Sequence, residues 1–182
     1  MMPNPHRSEV GIELGGVRYV LRPTFSAMVE CEVSTGLSIF RLIDRVAKYQ
    51  ATLTELKAVI LAGLSAADSA LCDDEVAKWI FEVGVPKAAD VATEFLMRAL
   101  DGGAAIAKKA KSTKVNGDTK LDYAEYLGVA VGQWHLPPRE FWAMTMIEFC
   151  SATAALIVER SGEFAGFDDE ETAILRDMGW AH

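Results

Sequence analysis

The side chains that could act as nucleophiles, bases or metal ligands are few and far apart. Three histidines, His6, His135 and His182, and three cysteines, Cys31, Cys72 and Cys150, are spread over 182 residues. A hydrolytic triad needs a nucleophile, a histidine and an orienting group brought together. His6 and His182 stand near the two ends, and His135, between Trp134 and Leu136 beside Pro137 and Pro138, reads as a surface turn residue rather than a base. Nucleophile elbow, Walker loop, dinucleotide glycine pattern and HExxH helix are all missing. The acid run Asp168 to Glu171 cannot converge on one ion, because consecutive carboxylates on a helix point in different directions; it suits a helix N-terminus instead. Asn116-Gly117-Asp118 lacks the alternating ligands and closing glutamate of a calcium loop. The glycine pairs 15–16 and 102–103 fit a tight turn and a helix stop, with no phosphate required. The expectation is a protein with no catalytic residue, no cofactor and no metal, whose odd, widely spaced cysteines are reduced and mostly buried.

What remains is apolar and aromatic. Trp134, Phe141, Trp142, Met144 and Met146 crowd one short stretch near the C-terminal end. A module of about sixty residues has a limited interior. Two readings stay open: these side chains form that module's own core, or some remain partly exposed and serve as partner-docking residues.

The bulk numbers fit a binding protein. Hydrophobic residues make up 51% of the chain and charged ones 24%, the balance of a folded globular protein. A net charge of −8 argues against a nucleic-acid partner, since phosphate contacts need clustered Lys and Arg. The charge is uneven: residues 1–107 carry 10 basic and 14 acidic groups, residues 108–121 carry 5 and 1, and residues 122–182 carry 3 and 11. The longest nearly uncharged run, Ala58 to Ala67, covers about half of a membrane-spanning helix. Met1 to Arg7 lacks the apolar stretch of a secretory signal. No membrane partner and a cytoplasmic location are expected.

The elements that must position the aromatic stretch follow from spacing. Glu9 to Leu14 and Val17 to Arg22 flank Gly15-Gly16, which predicts a β-hairpin with Leu14 opposite Val17, Ile12 opposite Tyr19 and Val10 opposite Leu21 on an apolar face. The other face then pairs Glu13 with Arg18 and Glu9 with Arg22, as cross-strand pairing rewards. Five helices follow, predicted from apolar stripes at three-and-four spacing. The first is capped by Thr24, carries Phe25, Met28, Val29 and Val33, and stops at Gly36. The second is capped by Ser38, the third by Thr54, the fourth by Asp73 or Asp74, and the fifth starts at Pro86 and stops at Gly102-Gly103. Residues 106–121, rich in lysine, read as a basic flexible linker. Beyond it, Tyr123 to Trp134 form a sixth helix, Pro138 to Trp142 a turn, and Thr145-x-x-Glu148 the capping box of a seventh helix with Ile147, Cys150, Ala154 and Ile157 on its apolar side. A last amphipathic stretch begins at Asp168. The fold class expected is mainly α with a small N-terminal β-hairpin: a hairpin-plus-helical domain over 1–105 and a short helical module over 122–182.

Pro3 to Val10, the hairpin through Arg22-Pro23-Thr24-Phe25, and the helix from Ala27 to Gly36 resemble the gene transfer agent family of phage tail assembly chaperones, over roughly residues 3–105. The stretch Leu136-Pro137-Pro138-Arg139-Glu140-Phe141-Trp142 through Glu148 resembles a second, short tail chaperone family, over roughly 122–162. The acidic extension after Gly162 has no counterpart in that pattern. The resemblance implies a protein that coats the tape measure protein, keeps it soluble, draws tail tube protein subunits to it, self-associates, works in the bacterial cytoplasm and is absent from the finished virion. Two rivals stand beside it: a phage-encoded adaptor or regulator with one unrelated partner, and a small enzyme using Cys31 or His135.

Overall fold

The computed structural model describes residues 2–69, 71–101 and 121–161, with the side chains of 157–161 left aside. The expected glycine stop at 102–103, nearly all of the basic linker, Asn116 to Asp118 and the stretch from Asp168 lie outside the described residues.

A single 3-10 turn, Pro5–Arg7, leads into β1 (Val10–Leu14) and β2 (Val17–Leu21), an antiparallel pair with the expected register, Val10 opposite Leu21, Ile12 opposite Tyr19 and Leu14 opposite Val17. Gly15 and Gly16 both have positive φ, which the tight turn requires and which glycine alone adopts at little cost. The faces are less unequal than the alternation suggests. Val20, on the charged face, is buried, and so is Glu9, whose carboxylate accepts from Arg22 at 2.8 Å and from the Asn4 N–H at 2.8 Å. Val17, on the apolar face, is exposed at the turn.

Eight helices follow among the described residues: α1 (Phe25–Thr35), α2 (Ile39–Ala47), α3 (Leu53–Ser65), α4 (Asp73–Val83), α5 (Val85–Ala99), α6 (Tyr123–Trp134), α7 (Pro138–Ala143) and α8 (Met146–Ser161). Helix α3 is central, packing on α1, α4, α5 and β2. Its buried set, Leu56, Val59, Ile60, Ala62, Gly63 and Leu64, therefore covers more than one stripe. Gly63 is where β2 and α5 close on it: a Cβ there would lie 2.8 Å from the Phe95 ring and 2.9 Å from Leu21. Trp79 of α4 donates its indole N–H to the Glu13 carbonyl at 2.8 Å, fixing the hairpin to the helices.

Several sequence expectations are corrected in detail. Thr24 and Ser38 cap as expected, but α3 is capped by Thr52, in a reciprocal box with Glu55, and not by Thr54. Helix α4 begins after Cys72, whose N–H is accepted by Glu75 at 2.8 Å, and Asp73 and Asp74 fall in its first turn. On α1 the buried residues are Phe25, Ala27, Met28 and Cys31, while Val33 is 78% exposed. Helix α5 ends at Ala99, ahead of the glycine pair. Pro138 to Ala143 is a short helix, not a turn, with proline tolerated in its first turn. All three cysteines are free thiols, Cys31 and Cys150 buried and Cys72 exposed.

Candidate protein-docking site

The aromatic stretch is positioned by three short devices. Asp122 caps α6, its carboxylate accepting from the N–H groups of Ala124 and Glu125. His135 ends that helix in the left-handed conformation, φ 56, and Pro138 opens α7. Thr145 caps α8, its N–H donating to Glu148 at 2.8 Å and its hydroxyl oxygen accepting from the Glu148 N–H at 3.4 Å. That is the capping box expected from the sequence.

These devices bring α6, α7 and α8 onto the first turn of α1. Thr24 and Thr145, the caps of two helices 121 positions apart, form an antiparallel bridge, and the Phe25 N–H donates to the Met144 carbonyl at 2.9 Å. Arg7 in the 3-10 turn pairs with Glu148 at 2.7 Å. Around this seam the rings interlock: Phe25 stacks on Phe141 at 4.5 Å, meets Phe149 edge-on at 5.8 Å and lies 5.7 Å from Tyr126, while Trp134 lies 4.9 Å from Phe149. Offset and edge-to-face pairs of this kind are worth about 0.5–1.5 kcal/mol each beyond the area they bury. One continuous apolar core thus runs from the hairpin through α3 and α5 to Phe141, Met146, Phe149 and Cys150.

The five candidates divide. Phe141 and Met146 are buried at the seam, whereas Trp134, Trp142 and Met144 are half-buried and keep part of their surface in solvent. Sequence reasoning missed Phe25, Tyr126 and Phe149 as members of this cluster. On α8 the buried set is Met146, Phe149 and Cys150; of the expected stripe Cys150 is buried, while Ile147 is half-buried and Ala154 exposed. The spacing 146, 149, 150 was a legible helical signal for it.

The chemistry available is that of contact. Burial, followed by the charges of Glu30 and Glu32, pushes the Cys31 thiol well above its ordinary range, and burial raises Cys150 as well, so neither is poised as a thiolate. Burial and the Glu32 carboxylate likewise hold the Tyr123 phenol neutral. His135, the other residue of the enzyme rival, is an exposed helix cap bonded through its N–H to the Ala130 carbonyl. No group of three metal-type side chains stands together among the described residues. A groove at the hairpin tip, floored by Leu14, Tyr19, Leu71 and Trp79 and rimmed by Glu75, Lys78 and Glu82, has a volume of about 190 Å³. That is below the usual range of a small-molecule pocket, roughly 300–1,000 Å³. Exposed apolar side chains are instead spread over the helices, Val33 at 78%, Phe81 at 72% and Met97 at 55%. No described helix is long and apolar enough to cross a membrane.

Comparison with known families matches two stretches of the chain. The family described as phage tail tube protein, GTA-gp10, matches residues 7–102, and the family described as phage tail assembly chaperone protein, TAC, matches residues 121–161. Neither the curated proteins nor the solved structures yield a match. The first match spans just over half of the 182 residues and takes in the hairpin and α1 to α5; the second takes in α6 to α8. The chain belongs to the GTA-gp10 phage tail tube protein family and carries a phage tail assembly chaperone segment behind it.

Proposed function

We propose that this chain is a tail assembly chaperone that binds the tape measure protein, keeps it soluble and recruits tail tube subunits to it. The observation that carries this reading is the presence, on one polypeptide, of a tail-tube-family unit and a tail-assembly-chaperone unit. In the division proposed, residues 1–105 hold the tape measure protein, 106–121 join the units, and 122–182 hold tube subunits through Trp134, Trp142 and Met144. Apolar side chains left in solvent on the helices, Val33, Phe81 and Met97, favour many weak contacts with a long helical client over one deep pocket. A chaperone that must release its client needs such contacts. Work in the host cytoplasm and absence from the finished virion belong to the same proposal, as does self-association along the client.

Co-expression tests it. A tape measure protein that aggregates alone stays soluble with this chain and co-purifies with several copies of it; a tape measure protein that stays insoluble and unbound refutes the reading. Trp142→Ala weakens capture of tube subunits and leaves tape measure solubility intact, whereas equal loss of both removes the division of labour. A second reading is favoured by the description of the N-terminal family, in which the chain is itself a tube component. Mass spectrometry of purified tails separates the two, since a chaperone is absent from them and a tube component is present in many copies.

A further inference from the structure

We propose that the groove at the hairpin tip is a socket for one arginine side chain presented by the protein client, its guanidinium meeting Glu75 and its stem lying on Leu71, Tyr19 and Trp79. The size of the groove restricts what can enter. At about 190 Å³ it is too small for a ligand of small-molecule size and suited to a single side chain. Its lining restricts the chemistry further. An apolar and aromatic floor beneath a rim with two carboxylates and one ammonium calls for a guest that is apolar along its length and cationic at its end. Lysine and arginine side chains have that form, burying the stem and keeping the head in water. The two rings favour arginine, whose flat, weakly hydrated guanidinium stacks on aromatic faces.

The rim has one carboxylate to give. On α4, Asp73 is paired with Lys57 and Glu82 with Lys78 at 3.8 Å, and among the described residues no cation pairs with Glu75. Glu75 is nonetheless fixed in place. Its Oε2 accepts from the Cys72 N–H at 2.8 Å, which holds the carboxyl below its ordinary value and leaves Oε1 for a guest. The indole N–H of Trp79 is committed to the Glu13 carbonyl, so the floor offers ring surface rather than a competing donor. Lys78 is the resident rival, one helical turn from each rim carboxylate and held only by a weak, exposed pair. The socket is defined by the groove alone; that its arginine belongs to the client rests on the reading of residues 1–105 as the client-holding unit.

The test titrates N-acetyl-arginine methylamide, and its uncharged citrulline counterpart, into the full chain at constant chloride, followed by NMR. The arginine compound should move the Trp79 indole N–H signal and the Leu71 and Glu75 amides, saturating at millimolar concentration, while the citrulline compound leaves them in place. Glu75→Gln keeps the helix cap, which Glu and Gln serve alike, and should weaken binding about fivefold, the upper end for an exposed ion pair. Lys78→Gln should strengthen it. Glu140→Gln, which removes one exposed charge from α7 in the other unit, should change nothing. No shift at Trp79, equal shifts with citrulline, or equal weakening by Glu75→Gln and Glu140→Gln overturn the socket. The source of the arginine is tested by co-expression: Glu75→Gln should leave less tape measure protein in solution, and unchanged recovery overturns its assignment to the client. Aggregation of the tape measure protein with the unaltered chain refutes the proposed function, while the titration still decides the socket.

Discussion

Residues 10–99 seal Leu21, Met28, Leu42, Ile60, Ile80, Phe95 and Leu96 among one hairpin and five helices, with α3 touching four of the other elements. Residues 121–156 bury far fewer large side chains, chiefly Phe141, Met146 and Phe149, and complete their aromatic cluster with Phe25 from the other unit. A short three-helix segment has too little interior to be stable by itself, and the seam supplies what it lacks. The first unit holds its shape by internal packing; the second holds its shape by being docked. The same docking leaves Trp134, Trp142 and Met144 only half-covered.

The largest effect expected from this contrast is at Phe95. It is fully buried and is the ring that Gly63 leaves room for, so Phe95→Ala opens a cavity at the centre of the first unit. Such truncations cost about 3–5 kcal/mol. Because the second unit docks on the first, urea unfolding followed by circular dichroism should show both units destabilised together. Loss confined to α6–α8 would break the comparison.

Phe141→Ala should do the opposite. Its ring faces Phe25 across the seam, and the cost, about 3 kcal/mol, cannot exceed the docking free energy as seen by the first unit, because the segment then comes away. Amide hydrogen exchange should accelerate through α8 while α3 and α5 keep their protection. Equal acceleration in α3 would show that the seam supports the whole molecule.

The contrast also explains what the sequence disclosed. The hairpin register was readable because Gly15-Gly16 fixes the turn and a slip of one residue would bury Glu13 and Arg18. The caps at Thr24, Ser38 and Thr145 were readable because capping is local chemistry. The α3 cap lies two residues ahead of Thr54, at Thr52-x-x-Glu55, the same box as at 145–148. Val33 was expected inside by spacing and proved exposed, while Cys31, a smaller residue three places after Met28, took the interior. Helix α7 was hidden by Pro138 in its first turn and Pro137 before it, since prolines punctuate turns as well as open helices. Docking left no local trace, since Phe25 and Phe141 stand far apart in the chain and each has an ordinary role in its own helix.

Glu148 sharpens the comparison at a smaller scale. It accepts from the Thr145 N–H and hydroxyl within α8 and from Arg7 across the seam. Loss of a cap costs about 1 kcal/mol and a partly exposed ion pair up to about 1 kcal/mol more. Glu148→Ala should therefore weaken docking by more than Arg7→Ala does, read as exchange rates in α8. Equal effects would mean that the box contributes nothing and the ion pair everything.

Glu55 gives the first unit its own pH signature. Burial works to raise its carboxyl, but the Arg45 hydrogen bond at 3.0 Å, the Thr52 N–H and the Arg45 charge outweigh it and hold the group below its ordinary value. A depressed folded value means stability that is fully present above the unfolded carboxyl range, about pH 4.3, and lost as pH falls through the lower folded value. Glu55→Gln should flatten the acid limb of unfolding for the first unit. An unchanged acid limb would place the acid sensitivity elsewhere.

The smallest effect lies in the second unit, at His135. Its left-handed backbone, φ 56, ends α6 ahead of Pro137, a conformation costing a non-glycine residue about 1–2 kcal/mol. Glycine removes that strain but loses more chain entropy on folding, about 0.5–1 kcal/mol, so the net gain from His135→Gly is roughly 0.5 kcal/mol. A docked segment stabilised within itself should exchange more slowly throughout α6–α8, because it must open as one piece to leave the seam. Slowing restricted to the 134–137 turn would show that the three helices open separately, and that Phe25 gathers them one at a time.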